Sequence, residues 1–308
     1  MSEMEYGFVT LATGSDFYYK SAYKMLKSYR YQGGKYRFCI VCDRENEYTR
    51  KFDDVILLEN CKFDYSDKFE LLKVAPYKKN IFIEPDCLVY KNIDDFWQMF
   101  KDATSIAAFG YNDGDLNLWF NDKELAQQTF NVHKIPAFNP GYLYIEKNIV
   151  SAKCYDDLLK ISQKIISDDR FLMEEKIFAG SKLRDDPVFC LAMEQNECKC
   201  AAEQKDGKCI SLPSVIKINN IKLSEGTLDV LYNLNGERTV MNDCYLLHFS
   251  SRRLKEWLYF QQVLALDCLT TKGLSWFARV VESQLFGNIA RKMFKIKSEL
   301  LSIYKNKK

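Results

Sequence analysis

The segment of this 308-residue chain richest in chemistry is Ile81-Phe82-Ile83-Glu84-Pro85-Asp86, an apolar run ending in two carboxylates one residue apart. In extended chain, positions i and i+2 face the same side, so Glu84 and Asp86 are expected to converge at the strand's end. Two hard anionic oxygen donors suit Mg²⁺ or Mn²⁺, ions that keep positions open for the phosphate oxygens of a ligand. The carboxyl end of a strand in an open α/β sheet is also where such ligands bind. Taken alone, an acid-x-acid pair is more often a polar turn. Cys190, Cys198, Cys200 and Cys209 offer no second metal centre, because their spacing matches no paired Cys-x-x-Cys site.

Such a site needs a sheet to hold it. Short runs rich in Val, Ile, Phe and Tyr alternate with helix-period stretches, the pattern of an α/β domain. Strands are predicted over Tyr6–Thr13, Arg37–Cys42, Asp54–Leu58, Asn80–Ile83, Ser105–Phe109, Gly141–Glu146 and Tyr245–Phe249. Helices are predicted over Phe17–Arg30, Asp67–Ala75, Ile93–Phe100, Val150–Ser167, Pro187–Gln195 and Arg253–Asp267. The excursion from Asn112 to Ile135, with Asn, Asp and Gly followed by Trp119-Phe120, reads as a binding loop or a surface insertion. His133 within it reads as surface.

The order of these motifs resembles glycosyltransferase family 8, the retaining, nucleotide-sugar-dependent enzymes of GT-A fold that include glycogenin and bacterial lipopolysaccharide galactosyl- and glucosyltransferases. The resemblance rests on Lys68-Phe69, Tyr77, Ile81-Phe82-Ile83, Glu84-Pro85-Asp86, Leu88-Val89 and Asn92-Ile93-Asp94-Asp95-Phe96-Trp97, in the family's order and at near-identical spacing. It implies a GT-A domain over residues 1–265, with a Rossmann-like mixed central sheet flanked by helices, and a basic helical extension over 266–308. It also implies a donor site. Thr10, Ala12 and Thr13, with Tyr18 at the following helix, look like the first strand and loop that hold uracil and ribose. Phe138-Asn139-Pro140-Gly141 resembles the signature lining the sugar site, where the Asn139 amide would grip hydroxyls and Gly141 would admit the backbone; unsupported, Asn-Pro-Gly is only a turn. His248, one of two histidines, looks like the family's metal-binding His. With Glu84 and Asp86 it would hold Mn²⁺ or Mg²⁺ and leave room for two diphosphate oxygens of a UDP-sugar.

Departures from the family pattern accompany these matches. Glu84 stands for the first Asp of the usual Asp-x-Asp, and Pro85 stiffens the turn. The family's Asp-Gln pair appears as Arg184-Asp185-Asp186-Pro187, with Gln replaced by proline. Asp185 and Asp186 are therefore the carboxylates left to face the sugar, or alternatively caps for a helix at Pro187. Lys255 sits one place late, with Arg252 and Arg253 as rival phosphate contacts. Breaking the anomeric bond leaves negative charge on the diphosphate and positive character on the sugar. The metal, Lys68 and a cation from Arg252 to Lys255 would stabilise the first, while Asn139, Asp185 and Asp186 would face the second. A protein that keeps the fold and binds nucleotide-sugar without transfer is the alternative. A nucleotidyltransferase lacks support, because no Gly-rich phosphate loop follows the first strand.

The 44 basic and 42 acidic residues leave a net +2, too balanced for a surface that tracks nucleic acid. The balance is uneven, since residues 270–308 carry +7 and the first 269 carry −5. Trp276, Phe277, Val281, Leu285, Ile289, Met293, Ile296 and Leu300 recur in that tail every three or four residues. Such a stripe packs on the protein's own core or lies on an anionic membrane surface. Comparable basic, aromatic C-termini in family members that build lipid-linked glycans favour the membrane. Eleven scattered cysteines, no apolar leader and no uncharged stretch beyond the 11 residues Ile135–Ile145 suggest a cytoplasmic protein, peripheral on the inner membrane face. Its expected partner is a glycan or lipid-linked saccharide acceptor of surface polysaccharide (lipopolysaccharide or capsule) synthesis, with homo-oligomerisation left open.

Overall fold

The computed structural model describes residues 5–171, 184–234, 236–250 and 257–305. In chain order the strands are β1 (Tyr6–Ala12), β2 (Phe38–Cys42), β3 (Asp54–Leu57), β4 (Lys79–Ile83), β5 (Cys87–Val89), β6 (Ile106–Gly114), β7 (Ile135–Glu146), β8 (Cys209–Ser211), β9 (Val215–Lys222), β10 (Thr227–Leu234), β11 (Glu237–Met241) and β12 (Leu246–His248). The longer helices are α1 (Asp16–Tyr31), α2 (Lys123–Phe130), α3 (Ile149–Ser167), α4 (Asp185–Gln195), α5 (Trp257–Thr270), α6 (Ser275–Val281) and α7 (Gln284–Lys305). The described residues form two compact units, the first within 1–23, 35–85 and 94–207, the second within 24–34, 86–93 and 208–308.

The first unit is built on a six-stranded sheet of order β3-β2-β1-β4-β7-β6. Strands β1 to β4 run parallel, while β7 runs antiparallel between β4 and β6. This is the α/β class expected from the sequence, a Rossmann-like mixed sheet flanked by helices. β2 reads Phe-Cys-Ile-Val-Cys and is buried at every position, the continuous apolar signature of a parallel strand covered on both faces. The chain winds from β1 out to β2 and β3, then returns to β4 on the other side of β1. The topological switch point therefore lies between β1 and β4, whose carboxyl ends are Ala12 and Ile83.

Tyr77 sets the spacing of this sheet. Its ring is buried, its hydroxyl donates to Asp54 at 2.6 Å, and a Cβ on Gly7 would lie 2.1 Å from it. Gly7→Ala is expected to destabilise the fold by about 1–3 kcal/mol through overpacking, read as a lower urea midpoint with an unchanged slope.

Two predicted boundaries move in a way that matters for the site. β7 begins at Ile135, six residues before the expected strand, and so contains Asn139-Pro140-Gly141. Its pairing with β6 jumps from Ala108↔Leu143 to Gly110↔Phe138, so the motif occupies an irregularity in which β7 advances five residues while β6 advances two. A proline is tolerated in a central strand only where the ladder is interrupted in this way. Lengthening of β6 and β7 shortens the Asn112–Ile135 excursion, which holds a helical turn at Leu116–Leu118 and α2.

The second unit contains a sheet of order β5-β12-β8, a meander of order β11-β10-β9 and the helices α5, α6 and α7. The meander was not expected, because β9 alternates weakly, with polar Lys217, Asn219, Asn220 and Lys222 and only partial burial. Residues Ala278 and Val281 of α6 are fully buried with Ala265 and Cys268 of α5, and Gln261 donates to the Val281 carbonyl at 2.6 Å. The α6 part of the basic tail thus packs into this unit's core. All eleven cysteines are free thiols and ten are buried.

Candidate functional site

In the first unit, β4 delivers Glu84 at its carboxyl end, and the Glu84 N–H donates to the Gly141 carbonyl at 2.9 Å. A helical turn over Tyr65–Glu70 supplies Lys68, and α4 supplies Asp185 in its first turn. The three side chains meet, with the Lys68 ammonium donating to both Glu84 and Asp185. Lys68 is only 7% exposed at its side chain, and its ammonium lies 5.4 Å from the Phe82 ring centroid. Burial opposes charging of Lys68, yet the Asp185 and Glu84 carboxylates outweigh it and hold the amine above the ordinary lysine range.

The helix that carries Asp185 starts two residues earlier than the pattern Pro187–Gln195 suggests. Asp185 and Asp186 lie inside its first turn, where Pro187 is tolerated because the N–H it lacks has no intrahelical partner. Neither carboxylate caps the helix: Asp185 goes to Lys68, and Asp186 accepts from Arg184 at 3.0 Å. Arg184 in turn lies 5.3 Å from the Trp119 ring centroid, linking α4 to the shortened excursion. Burial, then the charge of Asp185, raises the Asp186 carboxyl above the usual range against the pull of Arg184. Counted as ionised, Lys68 and Arg184 against Glu84, Asp185 and Asp186 leave one net negative charge. Such a cluster stabilises positive character in a bound group. Asn139 is folded back on its own strand, its Oδ1 accepting the Gly141 N–H at 2.7 Å.

The β1 residues divide. Thr10 is fully buried, and its Oγ1 has no hydrogen-bond partner among the described residues. Ala12 is buried at the strand's end, Tyr18 lies in the first turn of α1, and Thr13 donates to Asp67 at 3.3 Å. Sequence reasoning missed Asp43, Tyr65, Asp67 and the Arg184–Trp119 contact. Asp43 follows β2 directly, a position where the end of an apolar run followed by an acid is a usable signal. Tyr65 and Asp67 carry no pattern of their own.

In the second unit, Asp86 precedes β5, and His248 ends β12, which pairs with β5 in antiparallel register. His248 Nε2 lies 3.0 Å from Asp86 Oδ1, and the Phe249 N–H donates to the Asp86 carbonyl at 3.0 Å. The i, i+2 argument for Glu84 and Asp86 does not apply, because β4 stops at Ile83 and Pro85-Asp86 is a turn. Their carboxylates take different partners. Lys255, with Arg252 and Arg253, lies outside the described residues.

The donor set bears on a metal ion. An imidazole nitrogen and a carboxylate oxygen 3.0 Å apart match two adjacent ligands of an octahedral ion bound at about 2.1 Å. Asp86 and His248 therefore fit, while Glu84 is engaged by Lys68. Among the described residues no three His, Cys, Asp or Glu side chains gather as a metal site.

No protein-family profile matches the chain, and no curated protein matches it. Among solved structures it is similar to the glycosyltransferase GlyE of Streptococcus pneumoniae TIGR4, at 11% identity and TM-score 0.43, covering 66% of this chain and 46% of that one. It is also similar to the galactosyltransferase LgtC in complex with donor and acceptor sugar analogs, at 14% identity and TM-score 0.43, covering 68% and 76%. A third similarity is to mouse xyloside xylosyltransferase 1, apo form, at 13% identity and TM-score 0.47, covering 81% and 99%. The chain spans less than half the length of the pneumococcal protein.

Proposed function

We infer that this protein is a glycosyltransferase that moves a hexose from a UDP-sugar to a glycan or lipid-linked acceptor with retention at the anomeric carbon. The observation that carries the reading is the buried Lys68–Glu84–Asp185 cluster beside the switch point, formed by residues that the resemblance to family 8 assigns separately to the donor site. Its chemistry suits a donor whose bond breaks unevenly. Lys68 faces negative charge on the departing diphosphate, while the net anionic carboxylates and the Asn139 amide face the electron-poor sugar. Asp86 and His248 would hold a divalent cation, which supplies Lewis-acid stabilisation of the diphosphate.

Incubation with a panel of UDP-sugars, with and without Mn²⁺, tests this by mass spectrometry of released UDP and glycosylated product. Sugar transfer or donor hydrolysis supports the reading. Tight UDP binding with neither reaction selects the alternative, a nucleotide-sugar-binding protein, a reading favoured by the engagement of Glu84 with Lys68. Pyrophosphate among the products revives a nucleotidyltransferase.

The C-terminal helices add a proposed site of work. The apolar stripe divides: Phe277 and Val281 pack inward, whereas Trp276, Leu285, Ile289, Met293 and Ile296 are exposed, with Arg291, Lys292, Lys295 and Lys297 exposed around them. This arrangement suits an anionic lipid surface that presents the acceptor at the inner face of a membrane. Among the described residues no helix is long and apolar enough to cross a bilayer. Because α6 carries core residues, the test is substitution rather than truncation. Gln at Leu285, Ile289, Met293 and Ile296 is expected to release the protein from vesicles rich in phosphatidylglycerol in a flotation assay, with unfolding unchanged. Retention on the vesicles removes this surface from the reading.

A further inference from the structure

Phe63 is 62% exposed, and its backbone lies at φ 59°, a left-handed conformation that bulky side chains avoid. An exposed phenylalanine alone needs no explanation. This one is held in place. Asp67, 2% exposed, accepts the Lys62 N–H at 2.7 Å and the Phe63 N–H at 2.9 Å, and so fixes the loop after β3. The same carboxylate accepts from Thr13 at 3.3 Å, tying that loop to the one after β1. The Phe63 ring lies on Gly14, where an added Cβ would sit 3.2 Å from ring carbon Cδ1. Gly14 has φ +81°, and its N–H donates at 2.9 Å to Asp43, which follows β2 and also accepts from the Tyr19 hydroxyl. Two carboxylates thus lock the loops after three adjacent parallel strands into one frame, and that frame presents an aromatic face to solvent.

We propose that Phe63 is the stacking platform for the nucleobase of a nucleoside-diphosphate donor, an assignment that rests on the nucleotide-sugar reading above. Phe63 follows the edge strand β3, and its ring reaches Gly14 in the loop beyond the carboxyl end of β1, one of the two strands that flank the switch point. Asp67, which holds the Phe63 N–H, is followed directly by Lys68, whose ammonium donates to Glu84 and Asp185, so the segment from Phe63 to Lys68 joins the platform to the cluster assigned to sugar and diphosphate. Stacking accepts any base, because every base has a π-face. The platform supplies affinity, and the choice of base falls to polar groups at its edge.

Full-length Phe63→Ala and Phe63→Trp variants test this, and both are expected to fold because the ring is exposed. With Phe63→Ala, affinity for UDP falls roughly 5- to 100-fold by calorimetry, and affinity for CDP, GDP or ADP falls by a similar factor wherever it is measurable. With Phe63→Trp, binding is retained and UDP quenches the added fluorescence saturably, whereas inorganic pyrophosphate does not. Wild-type binding of UDP that survives Phe63→Ala within twofold, with unquenched Phe63→Trp emission, overturns the platform while leaving the nucleotide-sugar reading intact. A wild-type protein that binds none of the four nucleotides overturns that reading and the platform with it.

Discussion

Replacing Lys68 with Met is expected to cost about 3–5 kcal/mol of stability and to abolish the proposed sugar transfer. The side chain is 7% exposed and donates to Glu84 and Asp185, themselves only 20% and 9% exposed. Removing the ammonium leaves two carboxylates facing each other without a counterion, and the penalty of stranding buried charge exceeds what the intact pair contributes. Urea unfolding checks the magnitude, and a Lys68→Met, Asp185→Asn double variant checks the cause. If stranded charge is responsible, the second substitution recovers part of the loss. Because the folded-state amine titrates above its ordinary value, its stabilising contribution is complete below the unfolded lysine pKa and is lost only as pH rises through the folded value. The gap between wild type and Lys68→Met is therefore expected to be flat from about pH 6 to 9. A gap that closes within that window argues against a charged Lys68.

The second large effect concerns Asp86. Asp86→Asn removes one of the two donors that lie 3.0 Å apart and is expected to weaken Mn²⁺-dependent UDP binding by at least about 100-fold, down to the affinity of wild type in EDTA. Calorimetry with and without Mn²⁺ measures this directly. His248→Ala should reproduce the loss, since the imidazole is the partner donor. Unchanged UDP affinity in Asp86→Asn would remove the carboxylate from metal binding and leave it as the residue that orients His248.

The mixed sheet was legible because its strands are nearly unbroken apolar runs, as in Phe38–Cys42 and Lys79–Ile83, and such runs have few alternatives to a covered strand. The meander over residues 215–241 was not, because a half-exposed antiparallel ribbon with polar positions and register shifts has no comparable signature. The Asn139 motif shows the same limit differently. Asn-Pro-Gly reads as a turn, and only pairing with β4 on one side and an interrupted ladder to β6 on the other makes it part of a strand.

Residue types alone determined which groups were available: two carboxylates after β4, two more at the head of α4, a lysine before them in the chain and one histidine at the end of β12. They determined the class of fold as well, through apolar patterning. Which groups meet was decided by tertiary structure. Lys68, Glu84 and Asp185 come together from positions up to 117 residues apart, and Asp86 pairs with His248 where β5 and β12 lie side by side. Of the frame of Asp43, Asp67, Gly14 and Phe63, only Asp43 carried a usable signal in the sequence, as an acid directly after an apolar run. The frame's contacts join three loops after different strands, and the spacing of residues along a chain carries no record of distances between separate strand ends.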